Sequence, residues 1–314
     1  MTRFVLRRLG VFAVTLGIAS VATFGALYLA PGSPVDFLLG NRPASAEQRA
    51  ALSSQFHLDE PFLQRYFSWV GGLVHGDFGI SIQQGQPVGD LLQAALPTTL
   101  LLVGLAFVLI VVVGLTLGAV AALGSRRVDD VIGAVMNISI ATPAFVAALM
   151  LISLFAVRLG WFPVFGQGSG LGDRLQHLAL PAIALTIGWW PVVGSVSRSS
   201  MREELAREHV ETAISRGLPR GHVLRRHVLR NSLVPILTAS GLALAGLVAG
   251  TAIVEATFQL NGLGGLLVSS VTQKDFAVAQ AVAMIMVAVF ALTNLVVDVL
   301  AALLDPRVRQ GWKA

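Results

Sequence analysis

Long apolar runs constrain this chain more than any other feature of its sequence. They fall at 9–30, 98–124, 131–157, 178–197, 236–257 and 281–304. Each is close to or above the ~20 residues that a helix needs to cross the ~30 Å hydrocarbon core of a bilayer. A hydrophobic fraction of 55%, with 12% charged residues and a mean hydropathy of +0.75, is too apolar for a soluble domain of 314 residues. The sequence therefore predicts an all-α membrane protein with six transmembrane helices.

The basic residues are distributed unequally between the two sides that six crossings define. Sixteen of the 22 lysines and arginines fall on the side that holds both termini, and six fall on the other side. Because loops rich in Lys and Arg remain in the cytoplasm during insertion, we expect both termini to be cytoplasmic. Insertion alone thus accounts for the net charge of +5, and we expect no nucleic acid partner.

The first apolar run must be distinguished from a cleaved signal peptide, because Arg7 and Arg8 precede it. Its roughly 22 residues exceed the ~7–15 of a signal h-region, so we interpret it as a retained helix. We divide the chain into the N-terminus with the first helix (1–31), a small extracytoplasmic segment (32–97) and a five-helix core (98–314). The extracytoplasmic segment has little apolar core of its own and is expected to pack on the mouth of the bundle.

The interval 208–235 is the longest polar, basic stretch between two apolar runs. The apolar residues around its beginning recur at helical spacing: Ala206, Val210, Ala213 and Ile214. The spacing predicts a short amphipathic helix that ends at Gly217, which can adopt a left-handed C-cap, and Pro219 suits the first position of a second helix. On composition alone, a basic loop lying on anionic lipid is the alternative.

Polar residues interrupt the third apolar run at Asn137, Ser139 and Thr142, and Pro143 follows them. A proline inside a helix removes a backbone hydrogen bond, so we expect the helix to bend at Pro143. The polar side chains have two open interpretations. They either form hydrogen bonds between helices or line a translocation path.

Trp189 and Trp190 lie in the cytoplasmic half of the fourth run. Interfacial anchoring is the usual role of membrane tryptophans, and stacking on a substrate is the alternative. Asn294 in the last run joins Asn137 and Thr142 as a candidate path residue, because each is a hydrogen-bonding group in an otherwise apolar helix.

Asp298 lies ~9–10 Å inside the cytoplasmic end of the last run. A charge at that depth must face a partner or water rather than lipid. We expect a structural role, with Arg226 and Arg230 as partners because their long side chains can reach inward.

Glycines recur four residues apart in two of the runs, as Gly114 with Gly118 and Gly246 with Gly250. This spacing allows helix backbones to approach closely, and we expect helix contacts at both pairs.

The chain lacks the residues that several kinds of functional site require. Zero cysteines exclude disulfides, thiolate nucleophiles and Cys-based metal sites. The sequence contains no Gly-x-x-x-x-Gly-Lys-Ser/Thr loop, so the chain has no phosphate loop for ATP. The histidines all fall outside or at the rim of the runs: His57, His75, His177, His209, His222 and His227. We therefore expect no enzyme, no metal and no cofactor in this chain.

Glu211-Thr212-Ala213, followed after three residues by Gly217, resembles the Glu-Ala-Ala-x-x-x-Gly loop of the membrane subunits of bacterial ABC importers. In that family the loop docks the permease on its ATPase. The family pattern closes with Ile-x-Leu-Pro soon after the glycine, whereas here Asn231 stands near that point and the proline is Pro235. The longer form is similar to the peptide and nickel branch of importers.

Further motifs resemble the same branch across nearly the whole chain. They are Pro31 to Pro34, Trp69 with Gly76 to Ser81, Glu255 to Gly264, Lys274 to Phe276, Asn294 to Asp298, and Leu304 to Arg307. The resemblance implies the permease subunit of a di- or oligopeptide importer, with a cytoplasmic docking helix in a loop at about 198–235. Nickel, haem and glutathione are alternative substrates, and a proton-coupled secondary transporter is a rival class.

The resemblance also implies partners. They are a second permease subunit, ATP-binding subunits that hold the nucleotide, and an extracytoplasmic substrate-binding protein, all in a bacterial inner membrane whose lipid surrounds the spans. The docking residues carried over are Glu211, Thr212, Ala213 and Gly217.

Overall fold

The computed structural model describes residues 2–29, 45, 47 and 60–304. In chain order the helices are α1 Thr2–Leu29, α2 Phe62–His75, α3 Val88–Leu123, α4 Arg126–Ala141, α5 Ala144–Leu151, α6 Leu171–Leu205, α7 Glu208–Ser215, α8 Arg220–Val223, α9 Arg230–Thr257, α10 Leu263–Thr272 and α11 Phe276–Leu304. A π-helical turn, Ile152–Arg158, extends α5, and another, Leu224–Leu229, joins α8 to α9. Arg220–Thr257 is therefore one continuous helix.

Five of the described helices are long and apolar enough to cross a membrane: α1, α3, α6, the helix formed by α8 and α9, and α11. The sixth crossing is a broken one, because α4 and α5 meet at an angle of 101°. α4 contacts one half of α6 through the Ser139–Trp190 hydrogen bond, and α5 packs on the other half around Leu178. The prediction of an all-α fold is confirmed, with five continuous spans and a sixth when the bent pair is counted as one span. The bend at Pro143 is also where the sequence predicts it.

The second span begins at Val88, ten residues before the apolar run that predicts it. Val88, Leu92 and Ala95 are buried on one face of α3 and pack against Val278 of α11. Polar residues between them hide this turn of helix from a search for continuous apolar runs. Pro97 lies inside the helix rather than before it.

Small residues allow the central helices to approach closely, as their spacing predicts. A Cβ added at Gly118 of α3 would lie 2.6 Å from the Gly194 carbonyl oxygen and 2.6 Å from the Ser197 Cβ of α6. The Trp189 ring of α6 occupies the space that a Cβ at Gly246 of α9 would need. α6 therefore packs tightly between α3 and α9, where a larger side chain at Gly118 would force two helices apart.

The two ends of the bundle differ in character. We call the segment Gly76–Pro87 the strap. The end of the bundle that carries α7 is the basic end, and the opposite end, which carries the strap, is the strap end. The strap is closed by an isolated β-bridge between Ile80 and Pro87. It follows α2 and leads directly into α3, so it connects a peripheral helix to the core. The Pro31 to Pro34 motif and most of the Leu304 to Arg307 motif lie outside the described residues.

Candidate functional site

The helix α7 lies across the ends of the spans at the basic end. Its Val210 and Ala213 side chains are buried and pack with Ala122 of α3, Met201 of α6 and Val223 of α8. The predicted stripe is only half right, since the Ala206 and Ile214 positions are exposed. The face of α7 that points away from the bundle carries the exposed positions Glu208, Glu211, Thr212 and Ile214. α7 thus packs one face against the helix bundle and exposes the opposite face.

The turn after α7 has the conformation that the sequence predicts. Gly217 has a φ of +76°, in the left-handed region. Its N–H donates to the Ile214 carbonyl at 2.9 Å, and the Leu218 N–H donates to the Ala213 carbonyl at 3.2 Å. These two bonds form a Schellman motif. Pro219 follows as the residue before α8 rather than its first residue, with an extended ψ of 136°.

Glu204 joins the three elements that meet at the start of α7. Its carboxylate lies 2.9 Å from the Arg207 Nε and accepts a hydrogen bond from the Asn231 Nδ2 at 3.1 Å, and His209 Nε2 lies 3.7 Å away. Glu204 lies in the last turn of α6, His209 belongs to α7, and Asn231 lies in the first turn of α9. Sequence reasoning missed this carboxylate. The available signal was an acidic residue in a basic interval, together with Asn231, which departs from the family pattern.

Asp129 makes a second polar junction at the basic end. The guanidinium of Arg198 forms a bidentate pair with its carboxylate, and the Arg202 Nη2 lies 3.0 Å from it. Arg202 also donates to the Ala121 carbonyl at 2.9 Å. The ends of α3, α4 and α6 are therefore tied together.

Asp298 does not pair with Arg226 or Arg230 as expected. Its carboxylate lies 2.8 Å from the Arg8 Nη1 of α1, and each side chain is 31% exposed. α1 and α11 pack side by side near their basic ends, so an arginine of the first span lies nearer than those of the basic loop. The pair lines a crevice of about 310 Å³ together with Asn294.

The remaining candidate path residues fall into different surroundings. Asn137 is exposed, and the partly exposed Thr142 donates to the Ile138 carbonyl at 2.7 Å. Trp190 is buried and donates to the Ser139 hydroxyl at 3.2 Å, while Trp189 covers Gly246. Asn137 and Thr142 thus share the bent span, and the two tryptophans occupy contacts between helices. Asn294 lies apart, in the crevice between α1 and α11.

Two polar contacts at the strap end connect motifs that are distant in sequence. The Ser81 hydroxyl donates to the buried Asp275 carboxylate at 2.5 Å, and the Gln83 N–H donates to it at 3.3 Å. The strap is therefore fastened to the residue before α11. Asp275 is 2% exposed, so its contacts replace the water that the carboxylate has lost.

Glu255, fully buried at the end of α9, makes the second of these contacts. It accepts from the Thr99 hydroxyl at 2.7 Å and from the Gly265 N–H at 3.0 Å. Its carboxylate also fills the space that a Cβ at Gly262 would need, which explains the glycine at that position. The contact holds α3, α9 and α10 together.

Known proteins resemble this chain along nearly its whole length. Residues 114–310 match the family described as binding-protein-dependent transport system inner membrane component, and residues 1–103 match the N-terminal model of such membrane components. The chain is 33% identical to the oligopeptide transport system permease protein AppB of Bacillus subtilis (strain 168), over 98% of this chain and 99% of that protein. It is 34% identical to the glutathione transport system permease protein GsiC of Escherichia coli (strain K12), over 98% and 99%.

A solved structure supports the fold. The MetNI methionine ABC transporter, described in inward-facing conformations, matches with a TM-score of 0.59 at 18% identity, over 68% of this chain and 96% of the matched chain. With both models and both full-length relatives in agreement, this chain belongs to the family of binding-protein-dependent transport system inner membrane components.

Proposed function

We propose that the chain is a permease subunit of an ATP-driven importer of di- and oligopeptides. The observation that carries the proposal is α7, a short helix that is seated on the ends of three spans and presents Glu211 and Thr212 outward. Full-length similarity to oligopeptide and glutathione permeases supports the peptide class, since glutathione is itself a small peptide. Nickel and haem are the alternative substrates.

Two features support the proposed partner subunits: the sequence has no phosphate loop for ATP, and α7 presents an exposed face. ATP-binding subunits supply the phosphate loop, and their surface receives Glu211, Thr212 and the turn at Gly217, while Ala213 anchors the helix from below. A second permease completes the path, and a substrate-binding protein delivers substrate. The basic end is the cytoplasmic one in this proposal, with both termini there, because the excess of arginine lies on that side.

Movement of α7 reaches the bundle by two routes in this proposal. Glu204 links α7 to the end of α6, and the turn at Gly217 leads into the single helix Arg220–Thr257. Closure of the ATPases would displace α7, and these two long helices would carry the displacement to the strap end as levers.

The path itself lies along the bent span in this proposal. Asn137 and Thr142 supply neutral polar groups on its exposed side, next to the contact of Trp190 with Ser139. Trp189 would border the path if α6 turns during transport. Peptides vary in side chain, so a weakly specific wall suits them and leaves selection to the binding protein.

Uptake into proteoliposomes tests the function directly. With all subunits, the binding protein and ATP present, we expect labelled di- and oligopeptides to accumulate, with glutathione measured in parallel. Accumulation of nickel or haem without any peptide would refute the substrate class.

In the same assay, Gly217→Val is expected to lower uptake per ATP hydrolysed severalfold at equal expression. Apart from Gly217 and its chain neighbours, no atom of the described residues lies within 4 Å of a Cβ at this position. The effect therefore comes from the left-handed backbone, which costs a side chain roughly 1–2 kcal/mol. Gly217→Asn is the matched control, because asparagine tolerates this conformation. Wild-type coupling in the valine variant would refute the docking role.

Thiol labelling of this naturally Cys-free chain tests the path. We expect Asn137→Cys and Thr142→Cys to react with a small aqueous reagent in one nucleotide state and less in another. Ser139→Cys, facing buried Trp190, is the control that should stay unlabelled. Asn294→Cys tests whether the separate crevice belongs to the path. Absence of labelling at Asn137 and Thr142 in every state would place them outside the path.

Asp298→Asn is expected to lower the melting temperature of the assembled complex, because it leaves Arg8 without its counter-charge. The free energy of unfolding should fall by on the order of 1–3 kcal/mol, at or below the ~3 kcal/mol that inserting a charge at the bilayer centre costs. Exchanging the charges with Arg8→Asp and Asp298→Arg should restore part of it.

Collapsing the proton gradient distinguishes an ATP-driven importer from a proton-coupled secondary transporter. At constant ATP, wild-type uptake should be unaffected. If uptake stopped on collapse and Asp298→Asn removed that dependence, the chain would be a proton-coupled transporter.

A further inference from the structure

The helix α2, Phe62–His75, has three faces rather than two. At 3.6 residues per turn, or about 100° per residue, Leu63, Phe67 and Val74 fall within an arc of about 40°. They are 65%, 67% and 79% exposed, which is far more than an apolar stripe in a folded core. A stripe of this kind requires an apolar neighbour outside the described residues.

The second face attaches α2 to the first span. Phe24 of α1 is 3% exposed, and its ring centroid lies 5.3 Å from that of Phe62, 5.6 Å from that of Tyr66 and 5.3 Å from that of Trp69. The Tyr66 hydroxyl lies 2.7 Å from the Ser20 hydroxyl. This face is centred about 110° from the exposed apolar stripe on the same projection. The attachment therefore leaves that stripe uncovered.

The third face is polar. Gln64, Ser68 and His75 are centred about 100° from the exposed stripe, on the side away from α1. A short helix with a large apolar face and a separate polar face is the form that lies in a membrane interface.

The contact with α1 fixes the depth of α2. The apolar part of the first span is Phe4–Ala26. Phe24 lies about 3 Å and Ser20 about 9 Å inside its strap end, at 1.5 Å per residue. Interfacial helices bury their apolar faces ~5–10 Å into the headgroup and acyl boundary. Tyr66, at the level of Ser20, therefore reaches the acyl region.

The neighbouring surface of α1 identifies what covers the stripe. Val21 is 53% exposed at the same level, about 80° around α1 from the Ser20–Phe24 face, and Ile18 is 67% exposed on the far side of the same helix. α1 is long and apolar enough to span a bilayer. Lipid acyl chains at this depth would contact Val21 of α1 and the exposed stripe of α2 alike.

We propose that α2 is an interfacial membrane anchor, lying in the leaflet at the strap end with Leu63, Phe67 and Val74 among the acyl chains. Its polar face points to the water. α2 ends at Gly76, where the strap begins, and the strap is fastened to Asp275. The membrane surface thereby sets the height of the strap above the bilayer.

Spin labels on single cysteines in the complete, proteoliposome-embedded complex test this proposal. The collision rates of each label with oxygen, which concentrates in lipid, and with a water-soluble nickel chelate are compared. For Leu63→Cys and Val74→Cys we expect oxygen to dominate, as for the lipid control Ile18→Cys. For Gln64→Cys and Ser68→Cys the chelate should dominate, with the ratio reversed severalfold along one turn.

Each alternative has its own signature in this experiment. Low collision rates with both reagents at Leu63 and Val74 would mean that a protein surface covers the stripe, and the proposal would be wrong. Dominance of the chelate at these positions would mean that the stripe faces water, which also overturns it. The substituted positions are exposed, so their loss of packing is small, and wild-type uptake by each variant confirms that the complex is intact.

Discussion

The buried carboxylate of Glu204 is the interaction on which the basic end depends. A charge with so little access to water must be compensated, and here Arg207, His209 and Asn231 surround it. Because these residues come from the turn after α6, from α7 and from α9, the carboxylate fixes the position of α7 relative to two spans. The apolar contact of Val210 beneath the helix supplies the rest of the attachment.

The same constraint shapes the other polar groups. In an apolar surrounding each ionised side chain must find a partner, and in the described structure those partners join helices that are far apart in sequence. Asp129 connects α4 to α6, Asp298 connects α11 to α1, and Asp275 connects the strap to the start of α11. Buried and half-buried carboxylates thus fix the positions of helices relative to one another, while small residues such as Gly118 set how closely the helices approach.

The sequence predicted the features that depend only on neighbouring residues. Apolar length predicted the six crossings, Pro143 predicted the bend, and Gly217 predicted the left-handed turn. The errors concern pairings across the bundle. Arg8 was not expected opposite Asp298, because its proximity depends on how α1 packs against α11. Glu204 escaped notice for the same reason, since its partners come from three helices whose contact no periodicity records.

In the proposed importer, Glu204 holds α7 to the spans firmly enough for motion of the ATP-binding subunits to reach them. The most direct test of this role is the ratio of substrate transported to ATP hydrolysed, measured in proteoliposomes for Glu204→Gln against Glu203→Gln. Glu203 is the matched control, because it also pairs with Arg207 at 3.0 Å but its side chain is 73% exposed. We expect Glu204→Gln to lower this ratio severalfold while ATP hydrolysis is retained, and Glu203→Gln to leave the ratio unchanged. Wild-type coupling in Glu204→Gln would contradict this role.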